Sequence, residues 1–335
     1  FGSSVLHACQ LLSEMVPLDA AMAVDATLQA KAEQKRESVQ EFIRSIERAV
    51  TPGAEDRPWL RQLCHPEDAC FRSLVSLLLE PKYKGFVGLQ CVTLRAVQLV
   101  VRISGIWFER DNDASIGMQI FRHLLGDEVA CKASSEMQKM AFGQERHVVC
   151  NALLALAELG PEALRPKHTR VLLESIADLP ERADDLAEVA LRAHTFGGEN
   201  RSRLLEETVA HTGGQQLIEV LLQVLNRAEP ERRLRAVKIL ADCLILPGSE
   251  NLLYTNDVRV LVEILLRELP YQASKEAAFV CYAKCYQALI RRYAAARDHR
   301  RDEALQVLQD LHGLARDHPR VQEKCAEIVA VLRSG

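Results

Sequence analysis

An all-α protein built from stacked helix pairs is what the sequence predicts, on three observations. Strand signals are nearly absent: there is no sustained alternation of apolar and polar residues, and no Asn-Gly or Asp-Gly hairpin between β-branched runs. Helix-breaking residues recur at intervals of mostly 12 to 22 residues, the length of one solenoid helix with its turn. The chain also repeats itself at a fixed shift.

Taken in order, the breaks fall at Pro17, Thr51-Pro52-Gly53, Pro66, Pro81, Asp111-Asn112-Asp113, Gly160-Pro161, Pro180, Gly197-Gly198, Gly213-Gly214, Pro230, Pro247-Gly248, Pro270 and Pro319. They delimit fourteen or so helices, expected to stack as one right-handed array. The segment at 217 to 225, LIEVLLQVL, aligns with LVEILLREL at 261 to 269, a shift of 44 residues. LRAV occurs at 94 to 97 and again at 234 to 237, each time about twenty residues after a leucine-rich helix, so the unit is a helix pair. A period in the forties falls in the range of armadillo and HEAT repeats, in which no pair buries its apolar face alone and stacking supplies the core. No Gly/Ser/Pro-rich linker interrupts the chain, and residues 1–335 are expected to form a single armadillo-like domain, with the helices of about 1–80 as a capping subregion.

The helix expected within NLLYTNDVRVLVEILLREL, residues 251 to 269, is apolar on most sides. At 100° per residue Val258, Leu261, Val262, Leu265 and Leu269 share one face, Leu266 lies at its edge, and Val260 and Ile264 are nearly opposite. Arg259, Glu263 and Arg267 form its one continuous polar strip. Under the 44-residue shift they map to Gln215, Glu219 and Gln223, so stacking is expected to set two polar rows side by side as a partner-binding face. Glu263 and Arg267 also have the favourable i,i+4 order of a helical ion pair. Thr255 or Asn256 is expected to cap the helix, and Asp257 to complement its dipole from the first turn.

Composition excludes several functions. The 335 residues are 48% hydrophobic but only 5% aromatic, a mix that suits helix packed on helix. With 42 Lys and Arg against 46 Asp and Glu, no global field points to nucleic acid or an anionic membrane. No run of 18 apolar residues occurs, so no membrane span is expected. Ten cysteines without a CxxC pair read as reduced thiols of a cytoplasmic protein, Cys281 and Cys285 among them. A chain opening on Phe1 is expected to be part of a longer one.

Catalytic constellations are missing: HExxH, GxSxG, the P-loop and GxGxxG do not occur, and no enzyme activity, cofactor or metal is expected. His65 within CHPEDAC fits no common zinc spacing and reads as part of a proline-containing helix start. Trp59 and Trp107 lack the Asn one turn later that import-type peptide grooves use. Asn200-Arg201-Ser202 matches a glycosylation sequon without meaning in a cytoplasmic chain. The densest basic cluster, RRYAAARDHRR, contains Arg291 and Arg292 and makes them further partner-binding candidates, although Asp298 and Asp302 dilute it.

The run LLYTNDVRVLV, in which Tyr254, Thr255, Asn256 and Asp257 lead straight into the apolar helix, resembles the leucine-rich domain of the WISH/DIP family. Members of that family activate the actin-related protein two/three complex, the seven-subunit nucleator of branched actin. The resemblance implies an activator that shifts the complex toward its active arrangement without a pre-existing filament, giving linear filaments that seed branched networks, in the cytoplasm at cortical actin patches. The animal member carries an SH3 domain and a proline-rich region before this domain; neither occurs here, which suits a fungal-type protein or a trimmed form of a longer one. The competing expectation is a generic armadillo or HEAT scaffold for another protein.

Overall fold

A computed structural model describes residues 24–49, 69–108, 116–315 and 317–334. Pro17, Thr51-Pro52-Gly53, Pro66 and the Asp111–Asp113 cluster lie outside them, as do Trp59, Cys64 and His65. The described residues form sixteen α-helices, two more than the break pattern suggests, with three short 3₁₀ turns and no strand. The fold is an all-α helical repeat. Its contacts gather into two compact units, residues 1–171 and 172–335.

The first unit contains α1 (Val24–Ala49), α2 (Ala69–Leu79), α3 (Val87–Phe108), α4 (Ile116–Leu125), α5 (Asp127–Met140) and α6 (Arg146–Leu159). The long helix α3 is its axis and packs against α1, α2 and α6. Leu94, Val97 and Val100 of α3 are fully buried, as are Phe71 and Phe121, whose rings meet edge to face with centroids 6.0 Å apart. The helix α7 (His168–Asp178) spans the boundary between the units.

The second unit contains α8 (Ala183–Phe196), α9 (Gly198–Ala210), α10 (Gly213–Arg227), α11 (Pro230–Ile245), α12 (Thr255–Gln272), α13 (Glu276–Arg292), the short α14 (Ala294–Asp298), α15 (Arg301–Leu314) and α16 (Pro319–Ser334). Helix pairs α10/α11, α12/α13 and α15/α16 stack in two rows: α10, α12 and α15 in one, α11, α13 and α16 in the other. Leu217, Leu221, Leu261, Leu265 and Leu269 are fully buried between the rows, as the sequence predicts. Burying a leucine contributes roughly 2 kcal/mol, so these five positions alone anchor the stack.

Most predicted breaks terminate or start helices. Pro230 and Pro319 open α11 and α16, and Gly197 and Gly248 take left-handed backbone at φ 72° and 86° between helices. Gly213 and Gly214 are required by space. A Cβ on Gly214 would lie 1.8 Å from the Thr208 carbonyl oxygen, and one on Gly213 2.4 Å from that of Leu173. Pro270 is the exception: α12 runs through it to Gln272. It stands two residues before the helix end, so the N–H it lacks, which would bond the Leu266 carbonyl, affects only the last turn.

Candidate functional site

The strip on α12 is where the sequence puts it. Arg259, Glu263 and Arg267 are exposed, while Val258, Leu261, Val262, Ile264, Leu265, Leu266 and Leu269 around them are buried. On the neighbouring α10, Glu219 and Gln223 are exposed and Gln215 is half-buried, so the two polar rows share one surface of the second unit. Val260, expected on the far apolar side, is 45% exposed beside the strip instead. It faces a groove of about 330 Å³ between α10 and α12, lined also by Glu219, Leu222, Gln223, Asn226 and Asp257.

The rows do not meet in the register of the 44-residue shift. Arg267 donates to the Asn226 side chain at 3.2 and 3.3 Å, three residues beyond its repeat equivalent Gln223. A repeat shift superposes equivalent positions, whereas packed helices interlock ridge into groove and are staggered along their axes. The expected Glu263–Arg267 pair is absent for the same reason: each side chain has a better-placed partner. Glu263 bonds His299 at 3.1 Å, and Arg267 reaches Glu268 at 3.3 Å.

Glu268 was invisible to the pattern. It is 4% exposed, and Arg233 of α11 donates to its Oε1 at 2.7 Å. A carboxylate at that depth demands such a partner. Tyr282, burial of which pushes its phenol up to about 12 with the Glu268 charge adding to the shift, sits against this pair.

The capping expectation is corrected. The helix starts at Thr255, so Tyr254 and not Thr255 or Asn256 occupies the cap position, and no side chain there bonds a backbone N–H. Asp257 does lie in the first turn. Tyr254 turns outward, 56% exposed, and its hydroxyl donates to Gln215 Oε1 at 3.1 Å, while Gln215 Nε2 donates to the Asn251 carbonyl at 2.7 Å. These two residues thus tie the start of α12 to α10.

The two basic candidates separate. Arg291 is exposed at the end of α13, but Arg292 is spent on the fold: it donates to the Leu246 and Ile245 carbonyls at 3.0 and 3.3 Å and to Glu250. Those carbonyls stand at the C-terminal end of α11, where helix acceptors lack intrahelical donors and a guanidinium is a natural cap. Arg301 likewise donates to the Leu332 carbonyl. Cys285 is buried, and Cys281 is half-buried with its thiol 3.2 Å from the Ala277 carbonyl. Burial raises both thiols, which keeps them protonated and unreactive.

The strip lies inside a segment that matches a known domain family. Residues 176–305 match the SPIN90/Ldb17 leucine-rich domain. It is the domain of the WISH/DIP family that the run at 251 to 269 resembles, and the family is associated with actin regulation. The leucine-rich domain match takes in α8 through α14 entire, and with them both polar rows, Tyr254–Asp257, Arg291 and Arg292. No curated protein matches the chain. No helix among the described residues is long and apolar enough to cross a membrane.

Proposed function

We propose that the chain is a non-catalytic activator of the actin-related protein two/three complex. It binds the complex, favours the active arrangement without a preformed filament, and so nucleates linear filaments that seed branched networks. The observation that carries this reading is the SPIN90/Ldb17 leucine-rich domain match over residues 176–305, which includes the run that contains the strip. The mechanism is a population shift: a packed helical array binds one arrangement of the complex more tightly than the other, and only that difference in affinity drives activation. The reading carries with it a cytoplasmic setting at cortical actin patches.

The α10/α12 surface is the proposed docking face, with Arg259 as its most available charge. Arg259 is exposed and has no hydrogen-bond or ion-pair partner among the described residues. Its reversal therefore perturbs binding without perturbing the fold. The test is pyrene-actin polymerisation with the purified nucleator complex and no seed filaments. The chain is expected to shorten the lag, and Arg259→Glu to weaken that effect at least about tenfold, the factor that 1.4 kcal/mol represents. A chain that binds the complex tightly yet leaves the lag unchanged would reduce it to a scaffold. Full activity in a folded Arg259→Glu variant would move the docking face off α12.

A further inference from the structure

The groove between α10 and α12 carries two charges that the fold does not use. Glu219 of α10 and Asp257 of the first turn of α12 both line it, together with Leu222 and the exposed Val260. Other carboxylates of this region hold a cation: Glu250 has Arg292, Glu263 has His299 and Glu268 has Arg233. Glu219 and Asp257 have no hydrogen-bond or ion-pair partner among the described residues.

Local sequence accounts for that. The positions three and four residues from Glu219 are Gln215, Gln216, Leu222 and Gln223, and those that follow Asp257 are Val260 and Leu261, so neither helix supplies a cation to its own carboxylate. Arg259 is two residues from Asp257, a spacing at which helical side chains do not face each other. Arg227 lines the same groove but stands eight residues along α10 from Glu219, about 12 Å at the helical rise. The groove therefore has an acidic end, an exposed apolar side chain beside it, and a separate basic end.

Its shape is already held. Tyr254 donates to Gln215 one turn before Glu219, and Arg267 donates to Asn226 two turns after it, so side-chain bonds tie α10 to α12 on either side of the acidic end. A preformed groove of this kind costs a ligand little reorganisation. What may enter is restricted by charge. An apolar group would strip water from two carboxylates and replace none of it, and an acidic group would add repulsion. A basic side chain satisfies both carboxylates and can lay its aliphatic stem on Val260. Arginine suits carboxylates on two different helices better than lysine, because its planar fork spreads five donors over three nitrogens. We infer that the acidic end of the α10/α12 groove receives an arginine side chain of the docking partner, its stem against Val260 and its guanidinium toward Glu219 and Asp257. This rests on the reading of the α10/α12 surface as the docking face and names the chemistry that the face selects.

The test uses the whole chain and has two arms. In the first, N-acetylarginine amide is titrated to millimolar concentration against isotope-labelled chain, with N-acetylcitrulline amide as its neutral isostere. Arginine is expected to move the amide NMR signals of residues 219–227 and 257–260, and citrulline to leave them in place. In Glu219→Gln with Asp257→Asn those shifts are expected to vanish while the circular dichroism spectrum is unchanged. In the second arm, the affinity of that double variant for the purified nucleator complex is expected to fall at least about tenfold. If the pair fails to fold, Glu219→Gln alone serves, with an expected loss of at least about threefold. The inference is overturned if arginine amide moves no signals of the groove, if citrulline amide moves them equally, or if a folded variant keeps full affinity for a complex that the wild-type chain binds. Arginine-specific shifts in the groove of a chain that does not bind the complex would support the arginine site and overturn the nucleator reading instead.

Discussion

The hydroxyl of Tyr293 donates to the Ser249 carbonyl at 2.6 Å and accepts the Leu253 N–H at 3.3 Å. One phenol thereby closes the turn between α11 and α12 from forty residues further along the chain, and with Arg292 beside it fixes where α12 begins. The position of the proposed docking strip depends on that clamp.

Replacing Tyr293 by Phe removes the clamp while keeping the ring. The Leu253 N–H then loses its partner and the Ser249 carbonyl keeps only the Leu252 N–H at 3.1 Å, at a cost of about 1 to 2 kcal/mol. Urea denaturation followed by circular dichroism is expected to show a lower midpoint with the slope unchanged. An unaltered midpoint would mean that water satisfies both groups.

Gly214→Ala tests the seam between α9 and α10. The added methyl would collide with the Thr208 carbonyl, and with backbone on the other side the helices must separate. Overpacking of this kind costs about 1 to 3 kcal/mol, so thermal unfolding is expected several degrees lower. Gly313→Ala, within α15 and with nothing within 4 Å of the new methyl, is the control and is expected to hold the transition or raise it slightly, since alanine is the better helix former.

His168 makes the first unit sensitive to acid. Its ring is fully buried, with Nδ1 accepting the Arg165 N–H at 2.9 Å, and burial, reinforced by the Lys167 charge, lowers its pKa from 6.5 to about 4. A depressed folded-state pKa means that the unfolded chain binds the proton first. The contribution of this group to stability is therefore complete above pH 6.5 and is lost as pH falls toward 4. Wild type is expected to lose about 2 kcal/mol between pH 7 and pH 5 through this group, and His168→Gln to flatten that part of the profile. Parallel profiles for the two proteins in urea titrations would remove His168 as the cause.

Arg259 and Arg267 look equivalent on a helical wheel and are expected to behave differently. Arg267→Glu sets a new carboxylate beside the buried Glu268 and breaks the bonds to Asn226, so it is expected to destabilise by about 1 to 2 kcal/mol. Arg259→Glu is expected to change stability by less than about 0.5 kcal/mol. Equal melting temperatures for the two variants would show that Glu268 is satisfied by Arg233 alone.

The helical character of the chain, most of its breaks, the burial of Leu217, Leu221, Leu261, Leu265 and Leu269, and the exposure of Arg259, Glu263 and Arg267 are all determined by the sequence itself. Each follows from local chemistry: a proline or glycine interrupts a helix wherever it stands, and a period of 3.6 residues assigns faces without reference to any neighbour. Which residues meet across helices was decided only by the tertiary structure. Arg267 finds Asn226 and not Gln223, Glu263 finds His299 and not Arg267, and Glu268 is buried because Arg233 arrives from another helix. Those pairings depend on the stagger and tilt of packed helices, quantities set by the fit of side chains from segments far apart in the chain, which no repeat shift records.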